Sequence, residues 1–134
     1  MNRIEHIGIA VNNLETSNIL FEKLLGTPPY KSEEVASEGV KTSFFLSGPN
    51  KIELLEATTP ESPIAKFLEK KGEGIHHIAF DVTDIVAEIA RLKAEGFTVL
   101  NETPKKGADN KLVAFLHPKG INGVLVELCQ EIGI

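Results

Sequence analysis

The chain has 134 residues, a formal charge of −5 and 42% apolar side chains, enough to bury a real core. Charged residues make up an ordinary 25%, and the acidic balance excludes a general nucleic-acid binder, whose footprint is basic. The lone cysteine, Cys129, excludes an internal disulfide framework and suits a reducing compartment. The opening MNRIEHIGIA lacks the apolar run of a signal peptide, and no stretch approaches the about 20 apolar residues of a membrane span. The expected setting is cytoplasmic, with neither a nucleic-acid nor a membrane partner.

In chain order, IEHIGIAV (Ile4 to Val11) reads as a strand. A helical pattern follows: Asn12, three residues before Glu15, forms a plausible capping pair, Leu20, Phe21, Leu24 and Leu25 recur at helical spacing, and Gly26 ends the run. Tyr30 to Val35 is a weak strand, VKTSFFLS a better one, and KIELLEA a good one after a turn at Gly48 to Asn50. SPIAKFLEKKGEG predicts a short linking helix capped by Ser62, with Pro63 in its first turn.

The plan then repeats. IHHIAFDV (Ile75 to Val82) matches the first strand position for position, with His77 opposite His6. DIVAEIARLKAEG places Ile85, Ile89 and Leu92 on one helix face and stops at Gly96. FTVL, KLVAFLHP and GVLVELC follow as strands. The expected fold class is α+β: one domain over 1–134, built from tandem βαβββ modules at about 1–57 and 74–131 and a helical linker. A repeat this long is a duplicated half-domain rather than a solenoid unit.

Strand side chains alternate faces, so parity shows which residues travel together. Ile7, Ile9 and Val11 form a bulky face suited to packing under a helix, while His6, Gly8 and Ala10 share the other. The second copy puts His77, Ala79 and Asp81 opposite His76, Ile78, Phe80 and Val82. A histidine followed by small residues leaves room above the sheet. The last strand of each module adds an acid to an apolar run: Glu53 in KIELLE and Glu127 in GVLVELC. A mid-strand carboxylate among apolar residues is costly to bury unpaired. A lone His would read as a core residue, and a lone Glu equally well as solvent-facing. Two of each, at equivalent repeat positions, make a plausible oxygen-and-nitrogen site for a divalent metal. His76 reads as a packed or supporting residue, and His117 as either a turn residue or a ligand contact.

This pattern resembles the vicinal oxygen chelate (glyoxalase/bleomycin resistance/dioxygenase) superfamily. Within it, IEHIGIAV, KIELLE, SPIAKFLEKKGEGIHHIAF and AFLHPKGINGVLVEL resemble the methylmalonyl-CoA epimerases over nearly the whole chain. The resemblance implies a curved mixed sheet cupping a metal, with helices on its outer face, and His6, Glu53, His77 and Glu127 as the ligands. It implies Co²⁺ first, with Mn²⁺, Ni²⁺ or Zn²⁺ also suited to those donors, an acyl-CoA substrate and a homodimer.

The implied reaction interconverts (R)- and (S)-methylmalonyl-CoA by removing the α-proton, with a metal stabilising the enolate. Glu127 matches the residue expected to act as base. Some relatives carry a second catalytic Glu two residues after a GV pair, where this chain has Thr42 in EGVKTSFF. The second proton carrier is then a water, Glu38 or another group. Lys105, Lys106, Lys111 and Lys119 form a local basic excess, either beside CoA phosphates or on a solvated loop, and ETPKKGADNK reads as a polar connection able to close over substrate. The rivals of the same fold are a glyoxalase I-type lyase acting on a glutathione hemithioacetal, an extradiol dioxygenase and a metal-free drug-binding resistance protein.

Overall fold

Alternation and turn chemistry translate into eight strands and three α-helices in a computed structural model that describes residues 1–133. The chain is α+β, and its two compact units repeat one arrangement. The first unit comprises His6–His76. It contains most of β1 (Arg3–Ala10), then α1 (Leu14–Leu25), β2 (Lys31–Val35), β3 (Val40–Ser47), β4 (Asn50–Ala57) and α2 (Pro63–Lys71). Its strands lie in the order β2-β3-β4-β1, with β1 parallel to β4 and the other pairs antiparallel. The parallel pair demands a crossover, and α1 with β2 and β3 forms it.

Apolar residues of alternate parity bury against α1: Ile9 and Val11 with Phe45, Ile52 and Leu54 meet Leu14, Phe21 and Leu25. Leu20 and Leu24, expected with that helix face, are exposed instead. They sit one residue, about 100°, around the helix from Phe21 and Leu25, so one row or the other must face water. The cap also differs from expectation. Asn13, not Asn12, holds the extended N-cap conformation and accepts from Thr16 N at 2.9 Å. The backbone of Asn12 instead donates to Glu73. Gly26 ends α1 at φ 77°, as its sequence position predicts.

Helix α2 begins as expected, with Ser62 Oγ accepting from Ile64 N and Pro63 in the first turn. It covers the sheet face away from α1, where Ala10, Val40 and Leu55 pack against Ile64 with Phe67 and Leu68 at the margin. His76 meets the Phe67 ring edge-on at 5.0 Å.

The second unit comprises Met1–Glu5 with His77–Ile134, described here to residue 133. The N-terminal residues join it because Asn2 N donates to the Asp81 carbonyl and Asn2 Nδ2 to the Asp81 carboxylate. Here most of β5 (Gly74–Asp81), with α3 (Ile85–Ala94), β6 (Lys105–Lys106), β7 (Lys111–Leu116) and β8 (Val126–Glu131), gives the order β5-β8-β7-β6, with β5 parallel to β8. Helix α3 packs Ile85, Ile89 and Leu92, the predicted face, onto Ala114, Leu116, Val126 and Leu128.

FTVL does not form the expected strand. Only Val99 bridges to Leu116, while Leu100 N donates to the Phe115 carbonyl and Asn101 Oδ1 accepts from Phe115 N. A side chain takes the place of a backbone acceptor, and the ladder stops there. Val124 likewise precedes β8, its N–H turned back to the Ile121 carbonyl. The polar connection ends in a tight hairpin, with Asp109 and Asn110 both at positive φ. Among the described residues, no helix is long and apolar enough to cross a membrane.

Candidate metal centre

In the first unit, Gly8 lies opposite Glu53 in the parallel β1/β4 register. Its missing side chain leaves space over which His6, two residues earlier on the same face, can reach the carboxylate. His6 Nε2 stands 3.1 Å from Glu53 Oε1. The second unit repeats this: Ala79 lies opposite Glu127, and His77 Nε2 is 3.2 Å from Glu127 Oε1. All four side chains are buried, at 5%, 5%, 4% and 7% relative exposure for His6, Glu53, His77 and Glu127. The structure therefore joins the four predicted residues into two imidazole–carboxylate pairs, one per unit.

Two aromatic residues escaped the sequence reading. Phe44 is the antiparallel partner of Glu53 and Phe115 that of Glu127. Each ring stands nearly perpendicular to its histidine, Phe44 at 6.3 Å from His6 and Phe115 at 5.9 Å from His77, both at 86°. An edge-on ring restricts rotation of the imidazole, which fixes where its nitrogen points. The signal was available in the two hairpins: SFFLS and VAFLH each place a Phe on the parity of the acid.

Thr42 is wholly buried, and its hydroxyl donates to Glu53 Oε2 at 2.8 Å. It is thus a support for the carboxylate and no acid–base group in its own right. Glu38 ends a short 3-10 turn, Ala36–Glu38, and is half-buried. In the second unit Ala79, Val113 and Cys129 form a buried apolar cluster on the face carrying His77 and Glu127.

His117 resolves as a turn residue: its Nδ1 accepts from Lys119 N at 3.0 Å, capping the 3-10 turn Pro118–Gly120. The basic residues do not form one exposed group. Lys105, Lys106 and Lys119 are exposed, whereas Lys111 is buried with Nζ 3.9 Å from Glu131 Oε1. Parity explains the difference, because Lys111 shares its strand face with Val113 and Phe115.

The family model of the Glyoxalase/Bleomycin resistance protein/Dioxygenase superfamily matches residues 5–115. The chain is 47% identical to an ethylmalonyl-CoA/methylmalonyl-CoA epimerase of Cereibacter sphaeroides, over 96% of this chain and 97% of the relative. It is 40% identical to the mitochondrial methylmalonyl-CoA epimerase of Homo sapiens, over 97% of this chain and 74% of that protein. A solved Streptomyces coelicolor methylmalonyl-CoA epimerase variant, in complex with 2-nitronate-propionyl-CoA, superposes with a TM-score of 0.94 at 33% identity, covering 100% of this chain and 97% of the other. With the duplicated βαβββ plan and its repeated pair of histidine and glutamate, these likenesses show that the chain belongs to the glyoxalase/bleomycin resistance/dioxygenase superfamily and, within it, to the methylmalonyl-CoA epimerase family.

Proposed function

We propose that the chain is a metal-dependent epimerase of methylmalonyl-CoA, with His6, Glu53, His77 and Glu127 holding one divalent ion. The observation that carries this reading is the duplicated imidazole–carboxylate pair. Two donors bound side by side on one ion, each at about 2.1 Å, stand roughly 3 Å apart. Separations of 3.1 and 3.2 Å fit that spacing. They are longer than the about 2.7–2.9 Å of a good charge-assisted hydrogen bond between imidazolium and carboxylate. His6, His77 and Glu127 are also a buried set of the donor types a divalent ion takes. Mixed nitrogen and oxygen donors suit Co²⁺, with Mn²⁺, Ni²⁺ and Zn²⁺ as chemically acceptable alternatives.

When bound, such an ion supplies Lewis-acid stabilisation to the charge that develops on the thioester oxygen. The chain's own residues do the rest. Glu127 takes the proton from the carbon between the carboxylate and the thioester: the C–H bond breaks, its electron pair passes into the enolate, and the proton rests on the carboxylate. A second carrier on the opposite face, a water, Glu38 or another group, then gives up a proton, which forms the new C–H bond from the enolate's electron pair and completes inversion. Phe44 and Phe115 hold the imidazole planes, and the cluster of Ala79, Val113 and Cys129 keeps water from one wall. The acyl-CoA substrate is supported by the substrates in the relatives' names and by the CoA thioester analogue bound in the Streptomyces coelicolor enzyme.

Chelator-treated protein should lose turnover of methylmalonyl-CoA and regain it as Co²⁺ is titrated to one ion per chain. Undiminished turnover by metal-free protein would contradict the reading.

A further inference from the structure

The two units differ beside their glutamates, and one difference is a hydroxyl. In the first unit Thr42 and Phe44 lie on β3 facing β4, with Phe44 opposite Glu53. In the second unit Val113 and Phe115 lie on β7 facing β8, with Phe115 opposite Glu127. Thr42 and Val113 therefore occupy the same place in the repeat. They have nearly the same shape, but only threonine can donate a hydrogen bond. Thr42 uses that bond on Glu53 Oε2 at 2.8 Å, while Glu53 Oε1 faces His6 Nε2 at 3.1 Å.

We infer that Thr42 is a positioning residue that fixes the Glu53 carboxylate, holding one oxygen so that the other stays aimed at the ion. The inference rests on the metal reading above. A carboxylate on a free Cβ–Cγ–Cδ stem can rotate, exchange its two oxygens, or swing away. A buried hydroxyl bonded to one oxygen stops all three and lowers the ordering cost of binding. Supports of this kind typically contribute roughly 10–100-fold in metal affinity. The inference also divides labour between the acids. Glu53 is held as a ligand through Thr42, whereas Val113 stands at the equivalent place beside Glu127.

The test is Co²⁺ binding to the full chain, followed by calorimetry and by the visible spectrum of the bound ion. Four proteins are compared: the native chain, Thr42→Val, Thr42→Ser and His6→Ala. Valine already packs at the equivalent place of the other unit, at 4% exposure, so Thr42→Val is expected to fold. Thr42→Ala serves in its stead if it does not.

Thr42→Val should weaken Co²⁺ binding roughly 10–100-fold and alter the visible spectrum, and Thr42→Ser should restore affinity to within roughly threefold. Native affinity in Thr42→Val would overturn the inference. So would a Thr42→Ser protein as weak as Thr42→Val, because the role would then be packing. His6→Ala separates the two levels. If it leaves Co²⁺ binding unchanged, the metal reading itself fails; if it abolishes binding while Thr42→Val does not, only the role of Thr42 fails.

Discussion

Glu53 and Glu127 occupy equivalent strand positions but have different neighbours, and their chemistry should differ accordingly. A proton carrier must be able to change partners during a turnover, whereas a ligand is better fixed. The hydroxyl of Thr42 fixes Glu53. Glu127 is the acid expected to move the proton. Replacing Glu127 by Gln keeps its shape and an oxygen donor but removes the basic site. This change should lower turnover roughly 10²–10⁴-fold, the usual contribution of a positioned general base. Solvent-deuterium uptake at the α-carbon measures that loss directly, and full exchange in Glu127→Gln would remove Glu127 from the role. Phe44→Leu and Phe115→Leu should act more mildly, loosening the imidazole without removing a donor. The signature to look for is a weaker Co²⁺ affinity in each, with the fold intact by circular dichroism.

At the scale of elements, the packing that holds the site lies behind it. Leu128 is wholly buried between β8 and α3, one residue from Glu127. Leu128→Ala should cost about 2–5 kcal/mol of stability through lost burial and the cavity left behind. It should also loosen the strand that carries the acid. Ser62→Ala removes the cap of α2 and should cost about 1 kcal/mol, read as a shift in the denaturation midpoint.

Helix α3 carries a pH-dependent contribution. Hydrogen bonds from the Arg91 guanidinium, at 2.8 and 3.0 Å, together with its charge, hold the Glu88 carboxyl below its ordinary value. The lowered value means the contribution is present above the ordinary carboxylate range and is lost as pH falls through the folded-state value. Arg91→Gln should therefore reduce stability near neutral pH and flatten its decline in acid.

Elements whose periodicity is long and strongly patterned were legible from residues alone. Ile85, Ile89 and Leu92 bury as their spacing predicts, and Ser62 with Pro63 starts α2 where expected. Two of the misread segments share a cause, since in each a side chain competes with the backbone. Asn101 interrupts the FTVL ladder, and Asn13 captures the cap that Asn12 was expected to form. The choice between Leu20 with Leu24 and Phe21 with Leu25 was open, because both rows are apolar and only packing against Phe45 and Leu54 decides.

For the whole molecule, duplication is the organising fact. It made the site legible, because a histidine followed by small residues and a mid-strand acid each occur twice at matching positions. Neither signal is strong alone. What duplication hides is divergence: Thr42 against Val113, and a linker helix over one unit that has no counterpart among the described residues of the other. Asymmetry of this kind suits a reaction whose two faces must be served by different groups. The likeness to the epimerases supports the substrate, but the repeated pairs are the part of this chain that would perform the chemistry.

The most direct measurement is α-proton exchange of methylmalonyl-CoA in D₂O, followed by NMR. The comparison needs chelator-treated protein, the same protein with Co²⁺ restored, and His77→Ala with Co²⁺ supplied. Exchange that requires the ion and disappears in His77→Ala is the predicted result. Exchange that persists without metal and in His77→Ala, or its absence with every ion bound at these residues, would contradict a metal-dependent epimerase.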